Sequence, residues 1–198
     1  MGIKKLLIGA ITAVVILGGS YLGISKSNTN SLVDSIQNVF KEEIILEKHE
    51  AEVIRVIDGD TIIVKTDEGV EERVRLLLID TPESVHPTEP EQLFGKESSD
   101  YAKEIIKEGD VVTLEVGNPE RDHYDRLLAY VWIDDVNFNQ LMIENGYARV
   151  GYIYEPNTKY LNEFEESEIN AKNKKENIWS IDGYVTEDGF DMSVVNKE

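Results

Sequence analysis

Two short acidic motifs carry the side chains in this 198-residue chain that are best suited to chemistry. One is Asp-Gly-Asp-Thr at residues 58–61, and the other is Asp-Thr-Pro-Glu at residues 80–83. Asp58 and Asp60 are two residues apart, so an extended backbone points them to the same side. A turn at the Thr-Pro pair would bring the two carboxylates of the second motif together. Converging carboxylate oxygens repel each other unless a hard cation lies between them, and calcium is the usual occupant.

An arginine precedes the second motif and adds a phosphate-binding group to these carboxylates. Arg75 could bind a phosphate through two parallel hydrogen bonds. A cation, a carboxylate base and a guanidinium are together what phosphodiester cleavage needs. Each piece also has a structural explanation: Asp-Gly is typical of a hairpin turn, and Thr-Pro of a strand end. The joint spacing favours the chemical interpretation.

The positions of Arg75 and Asp80 make a geometric demand on the chain. They are five residues apart, so a straight strand would aim them at opposite faces of a sheet. If both serve one site, the strand must bulge or end before Asp80. Pro82 makes an ending the expected solution.

Four motifs in order give the chain a specific resemblance. They are Ile-Asp-Gly-Asp-Thr at 57–61, Arg-Leu-Leu-Leu-Ile-Asp-Thr-Pro-Glu at 75–83, Tyr-x-Arg-x-Leu-Ala-Tyr at 124–130 and Asn-Ile-Trp-Ser at 177–180. With them the sequence resembles the staphylococcal (thermonuclease-type) nuclease family from about residue 48 to about residue 180. The resemblance implies a calcium-dependent enzyme that hydrolyses DNA and RNA with little sequence preference and leaves 3'-phosphate ends.

The family's metal ligands and general base can be carried over residue by residue. Asp60 and Asp80 match the calcium-binding carboxylates, and Thr81 matches the ligand that uses its backbone carbonyl. Glu83 matches the carboxylate taken as general base on the attacking water. The resemblance therefore implies that both acidic motifs serve one metal-dependent site.

The family's substrate-binding residues also have counterparts here. Arg75 and Arg126 match the pair that binds the scissile phosphate and stabilises its five-coordinate transition state. Tyr124 and Tyr152 match side chains that contact the nucleotide's other phosphate, and Tyr154 lies beside a base-stacking surface. Aromatic stacking would favour single-stranded or frayed substrate.

Composition predicts weak substrate binding. The net charge of −19 should repel nucleic acid at long range, so attraction must come from local arginines and bound calcium. Asp125 stands where the family often has glycine, and the loop after Glu83 carries Glu89 and Glu91. We expect weak, salt-sensitive binding. The absence of cysteine excludes disulfides, zinc–thiolate sites and cysteine nucleophiles.

The first 27 residues read as a signal peptide or signal anchor. Lys4 and Lys5 precede an uncharged run from Leu6 to Ile24, which as a helix would be about 28 Å long. Basic residues at its start predict export of the rest of the chain, secreted or held on the outer face of the cytoplasmic membrane. The lack of an Ala-x-Ala site slightly favours an uncleaved anchor. Residues 28–49 read as a linker with a short amphipathic helix.

The remaining sequence predicts an α+β domain, mainly β, over residues 50–180. Five short strands and three helices suggest a closed barrel of the OB type, which the resemblance also implies. An acidic extension follows at 181–198, where residues 183–185 and 189–190 suggest a small ordered appendage. The predicted strands are 53–57, 62–65, 73–79, 111–116 and 127–133, with a further extended segment at 148–154. The predicted helices are 96–107, closed by Gly109, 139–145 with Asn139 as N-cap, and 158–176, with Trp179 packing back on the barrel.

Two other functions fit part of the pattern. The domain could be a non-catalytic OB module that binds nucleic acid or a protein, tethered to the membrane. It could also be a membrane-tethered calcium-binding surface protein. The presence of every family acidic ligand and of both arginines favours the nuclease. Nothing in the sequence suggests more than a monomer.

Overall fold

The computed structural model of the protein describes residues 46–84 and 91–195. The predicted targeting segment at 1–27 lies outside these residues, as does nearly all of the 28–49 linker with its expected amphipathic helix. Within the described part, the helices are all too short or too polar to cross a bilayer. The described residues belong to one compact unit, Ile45–Glu198.

Short strands dominate the first two thirds of this unit. The strands are β1 (Lys48–Asp58), β2 (Thr61–Thr66), β3 (Glu71–Leu76), β4 (Ile79–Asp80), β5 (Val111–Arg121), β6 (Leu127–Ile133), β7 (Val136–Asn137), β8 (Arg149–Val150), β9 (Val185–Thr186) and β10 (Gly189–Phe190). The helices are α1 (Gly95–Ile105), α2 (Phe138–Glu144) and α3 (Leu161–Lys174), with 3₁₀ turns at Asn177–Trp179 and Met192–Val194.

Five of the strands close into a barrel, as predicted. The order along the sheet is β3-β2-β1-β5-β6, and a parallel pairing of β3 with β6 joins the two ends. Closure removes the exposed edges of the sheet. Apart from the barrel, β4 pairs with β8 and β9 pairs with β10. The predicted five-stranded OB barrel with three helices is confirmed.

The predicted N-cap of α2 was wrong. Asn137, not Asn139, caps α2, because its side chain accepts the N–H of Gln140. Asn139 is instead fully buried and bonds the backbones of β6 and the segment after β3, through Val131 and Leu77. The sequence alone does not distinguish a capping asparagine from a buried asparagine two residues further along the chain.

The ends of the other two helices also differ from prediction. Helix α1 ends at Ile105, and Gly109 is not its cap. Gly109 has φ +88° and donates its N–H to the carbonyl of Val53, so it closes the turn onto β1. The predicted last helix at 158–176 is the shorter α3, and the extended segment at 148–154 reduces to β8.

A buried carboxylate ties the barrel to the start of α3. Glu115 on β5 is 0% exposed and accepts hydrogen bonds from Lys159 Nζ at 2.5 Å, Tyr160 Oη at 2.9 Å and Trp132 Nε1 at 3.0 Å. Tyr160 also packs edge-on against the fully buried Tyr130. A buried charge needs such a set of donors to offset its desolvation.

The segment after α3 packs through two neighbouring residues. Ile178 is the fully buried residue of the Asn-Ile-Trp-Ser motif. Trp179 is only half-buried, and Lys172 of α3 lies 4.4 Å from its ring centre. Trp179 thus contacts α3, and the 3₁₀ turn buries its neighbour Ile178.

Candidate active site

A pocket of about 250 Å³ opens at one side of the barrel, and most of the predicted site residues line it. The lining comprises Ile57, Asp58, Asp60, Thr61, Arg73, Arg75, Asp80, Thr81, Glu83, Arg126 and Tyr152. All the predicted metal ligands, the predicted base and both predicted phosphate-binding arginines are in this set. The fold thus brings both acidic motifs and both predicted phosphate-binding arginines, Arg75 and Arg126, to one place.

Arg75 is fixed at the pocket by the end of β3. The strand stops at Leu76, and Leu78 adopts φ +61°, so the backbone turns before β4 begins at Ile79. The guanidinium donates to the carbonyls of Leu76 at 2.6 Å and Ile79 at 2.9 Å. The predicted strand ending between Arg75 and Asp80 is confirmed, and this turn lets both side chains reach one pocket.

Asp60 lies in the turn between β1 and β2. Its Oδ2 is 3.1 Å from Arg75 Nη2, and its Oδ1 accepts the hydroxyl of Thr61 at 2.9 Å. The backbone carbonyl of Asp60 also accepts the N–H of Leu76 at 2.9 Å. The predicted turn at this motif is present, and it carries the Asp60 carboxylate into the pocket.

Asp58 has a supporting position in the same turn. Its Oδ1 accepts the N–H of Gly59 at 2.8 Å and the hydroxyl of Ser84 at 2.9 Å. Ser84 follows Glu83, so the first acidic motif holds the end of the second. Asp58 therefore orders the loop that carries the predicted base.

Asp80 reaches the pocket from β4, which pairs with β8 so that Asp80 lies opposite Arg149. Arg149 Nε donates to Asp80 Oδ2 at 2.8 Å. Burial raises the pKa of Asp80, the charge of Asp60 adds to the rise, and Arg149 and Arg75 partly offset it. Two largely buried carboxylates of like charge thus lie near each other in the pocket.

Glu83 is positioned by the chain entering α1. Its N–H donates to Gln92 Oε1 at 2.9 Å, and its carbonyl accepts the N–H of Gln92 at 2.9 Å. A Cβ at Gly95 would lie 2.4 Å from the Glu83 carbonyl oxygen. Only glycine permits this close approach of helix and loop.

Arg126 enters the pocket through the closure of the barrel. The parallel pairing aligns Val74 with Leu127, which places Arg126 beside the strand that carries Arg75. Asp122 Oδ2 accepts Arg126 Nε at 2.7 Å, and Asp122 Oδ1 accepts its backbone N–H at 2.9 Å. Burial raises the pKa of Asp122, but these bonds from Arg126 outweigh it, so the net pKa is lowered.

The three predicted substrate-binding tyrosines are only partly brought together. Tyr152 lines the pocket, and its ring centre is 4.9 Å from Arg75 Cζ. Tyr124 lies at the rim, with Arg126 Cζ 5.4 Å from its ring centre. Tyr154 is 68% exposed and does not belong to the pocket lining. Exposed rings at a pocket edge are suited to stacking on bases.

The oxygen atoms that line the pocket fit a hard cation that takes many of its other ligands from water or from the substrate. Within residues 46–84 and 91–195, no three His, Cys, Asp or Glu side chains are grouped to share a metal ion. The expectation that several carboxylates converge on one ion is therefore too strong. Asp60 and Asp80 supply two carboxylates, Thr81 lines the same pocket, and hard cations accept such oxygen ligands together with water and phosphate oxygens.

Sequence reasoning missed three supporting residues. Arg149 is the direct partner of Asp80. Asp122 holds Arg126, and Ser84 bonds Asp58. The four-residue spacing of Asp122 and Arg126 was the one available signal, and it is common on solvated surfaces.

Comparisons with known proteins agree with this geometry. The sequence model described as staphylococcal nuclease homologue matches residues 73–181. The chain is 44% identical over 143 residues to the SPbeta prophage-derived endonuclease YokF of Bacillus subtilis, covering 72% of this chain and 48% of that protein. It is 44% identical over 140 residues to Endonuclease YncB of Bacillus subtilis, covering 71% and 66%.

A third relative is shorter and is covered more fully. The chain is 45% identical over 128 residues to the Thermonuclease of Staphylococcus hyicus, covering 65% of this chain and 74% of that protein. The match spans about half the length of YokF, whereas it spans most of the thermonuclease. With the closed barrel and the family match over more than half of its residues, the chain belongs to the staphylococcal nuclease family.

Proposed function

We propose that the protein is a calcium-dependent nuclease that hydrolyses phosphodiester bonds of DNA and RNA with little sequence preference. One observation carries the proposal: three arginines and four carboxylates, among them Arg75, Arg126 and Glu83, line one pocket of about 250 Å³. Family membership and relatives named endonuclease and thermonuclease support the same reaction class. The roles of the individual residues are part of the proposal.

The arginines would bind the scissile phosphate. Arg75 is already held by two backbone carbonyls and Asp60, and Arg126 by Asp122, so little reorganisation accompanies the growth of charge on phosphorus. Glu83, at the pocket edge, would take the proton from the attacking water. Departure of the 5' oxygen would leave the phosphate on the 3' side.

Asp60, Asp80 and the backbone carbonyl of Thr81 are the proposed ligands of a calcium ion. Bound there, calcium would supply positive charge that polarises a phosphoryl oxygen and neutralises the two carboxylates. The raised pKa of Asp80 agrees with such a site, since a buried carboxyl beside another gains most from a nearby cation.

The rims of the pocket would guide the substrate. Tyr152 and Tyr124 flank the arginines, and Tyr154 lies two residues beyond Tyr152 on an exposed stretch. Their rings favour unpaired bases, so single-stranded or frayed nucleic acid is the proposed substrate. The net charge of −19 opposes long-range attraction, so binding should be weak and should depend on salt.

The test uses the full-length chain and a fluorescent single-stranded DNA, with calcium and then with excess chelator. We expect cleavage with calcium, no cleavage with chelator, and 3'-phosphate ends on the products. Arg126→Ala should abolish cleavage, whereas Arg55→Ala, an exposed arginine of β1 outside the pocket, should not. Binding without cleavage would instead favour a non-catalytic OB module, and calcium uptake without any effect on DNA would favour a calcium-binding surface protein.

We further propose that the enzyme is exported and acts as a monomer outside the cell, either secreted or anchored by residues 1–27. The basic start and uncharged run of that segment support this proposal. Fractionation of cells into medium, membrane and cytoplasm is the direct test, and recovery of the intact chain in the cytoplasm alone would contradict it.

A further inference from the structure

The C-terminal hairpin, defined as residues 184–190 with strands β9 and β10, lies beyond the segment that the family model matches, which ends at residue 181. It is nevertheless firmly attached to the domain. Tyr184 is 0% exposed, and its hydroxyl donates to the carbonyl of Leu93. Its ring packs against Phe94 and Phe190, with ring centres 5.9 Å and 5.4 Å away.

The hairpin also contacts one side chain of the active-site region. Arg149 Nη1 donates to the backbone carbonyls of Glu187 at 3.2 Å and Thr186 at 3.5 Å. Its Cζ lies 6.0 Å from the ring centre of Phe190. The same guanidinium donates through Nε to Asp80 Oδ2 at 2.8 Å. A single, largely buried arginine therefore joins the hairpin to a proposed metal ligand.

The geometry suits a positioning role. A guanidinium is planar, so bonds from Nη1 to two fixed carbonyls also fix the direction of Nε. Because Nε donates to Oδ2 of Asp80, it fixes the orientation of the carboxylate and hence the direction in which Oδ1 points. Hydrogen bonds to a ligating carboxylate commonly change metal affinity by about 10–100-fold.

We propose that the C-terminal hairpin is a positioning element of the active site, which raises the affinity for the divalent ion by holding Arg149 on Asp80. The inference rests on the proposed calcium-dependent function and extends it to residues outside the family segment. Glu187 has an exposed side chain and acts through its backbone carbonyl, so its side chain should not matter. Thr186 differs, because its hydroxyl bonds Gly189 and Asp188 and so helps to close the hairpin turn.

The test measures calcium binding by calorimetry without substrate, on the intact chain and on two truncations. Ending the chain after Gly183 removes the hairpin, and ending it after Asp191 keeps it. We expect the first to weaken calcium affinity about tenfold or more, and the second to leave it unchanged. Equal affinity in a folded chain that lacks the hairpin would overturn the proposal.

Point variants decide the question if the shorter chain does not fold. Arg149→Lys keeps the charge but cannot reach Asp80 and two carbonyls at once, so calcium affinity should fall by a similar factor. Phe190→Ala removes the ring beside Arg149, so its calcium affinity should lie between that of the parent chain and that of Arg149→Lys. Glu187→Ala should bind calcium normally. Normal affinity in both Arg149→Lys and Phe190→Ala would contradict the proposal.

A double-mutant cycle separates positioning from general support. If the hairpin acts through Arg149, then Arg149→Lys combined with the loss of the hairpin should be no worse than either change alone. Additive losses would show that the hairpin acts by another route. If the intact chain binds no divalent ion, the calcium-dependent function fails as well, whereas normal binding with an unaffected truncation overturns the hairpin proposal alone.

Discussion

Arg75 Nη2 lies 3.1 Å from Asp60 Oδ2, so a proposed phosphate-binding group and a proposed metal ligand are in direct contact. The pair is largely buried, and Arg75 is held further by the carbonyls of Leu76 and Ile79. Each charge therefore lowers the cost of burying the other before any ion or substrate arrives. One consequence is that Arg75 should support both folding and activity, whereas Arg126 should support mainly activity.

Arg75→Lys should lower both thermal stability and activity. An ammonium cannot bond two carbonyls and Asp60 in the geometry of a planar fork, and a lost buried hydrogen bond costs about 1–3 kcal/mol. Thermal unfolding and cleavage assays on the same preparation measure the two effects. Arg126→Lys is the matched variant, and it should reduce kcat by about 10²–10³-fold with a nearly unchanged Tm. Equal Tm losses in both variants would contradict the distinction.

Asp80→Asn should remove calcium binding and yet raise or preserve the Tm of the calcium-free protein near neutral pH. Burial raises the pKa of Asp80, so the stability that its neutral form contributes is present below the ordinary carboxyl pKa of about 4 and is lost as pH rises through the raised pKa. An amide stays neutral throughout. Tm measured against pH in chelator should therefore decline less for the variant than for the parent chain. A steeper decline in the variant would be inconsistent with a raised pKa.

Gly95→Ala should impair catalysis more than folding. The added methyl would lie 2.4 Å from the carbonyl oxygen of Glu83, so the loop with the proposed base must shift. Displacements of this size commonly cost about 10²-fold in rate. Measurements of kcat at several pH values test this, because a displaced base also changes the acidic limb of the profile. Lys96→Ala, at the next and exposed helix position, is the control and should behave like the parent.

Glu115→Gln should destabilise the domain without changing its chemistry. The buried carboxylate accepts bonds from Lys159, Tyr160 and Trp132, and an amide has only one accepting oxygen. We expect a loss on the order of 1–3 kcal/mol in urea unfolding. Since Glu115 does not line the pocket, kcat of the folded enzyme should be unchanged. Glu120→Gln, an exposed residue of the same strand, should have no effect on either quantity.

Asp125→Asn should lower the KM for DNA. Asp125 has φ +62° and an 87% exposed carboxylate beside Arg126, where it pairs only loosely with Arg121 at 3.7 Å. Removal of this charge weakens local repulsion of phosphate, and asparagine tolerates the same backbone conformation. The gain should shrink as salt is added. Asp134→Asn, at another exposed position of positive φ, should leave KM unchanged.

Much of the fold follows from the sequence because the signals are local. The apolar, β-branched and aromatic runs at 53–57, 62–65 and 127–133 mark strands that the structure contains, and 127–133 agrees at both ends. The left-handed backbone of Asp125, with φ +62°, is a conformation that glycine adopts without strain. Helix ends were less predictable, because a cap such as Asn137 and a buried amide such as Asn139 are chemically identical.

The arrangement of the site, like the fold, follows partly from the sequence and partly from the tertiary structure. The sequence determined which carboxylates and arginines are present and that β3 must end before Asp80, since side-chain alternation and Pro82 constrain the chain locally. Only the tertiary structure decided that β3 pairs with β6, which brings Arg126 to Arg75, and that β4 pairs with β8, which brings Arg149 to Asp80. These pairings join residues roughly 50 and 69 positions apart, and their register depends on closure of the whole barrel rather than on any local preference of the chain.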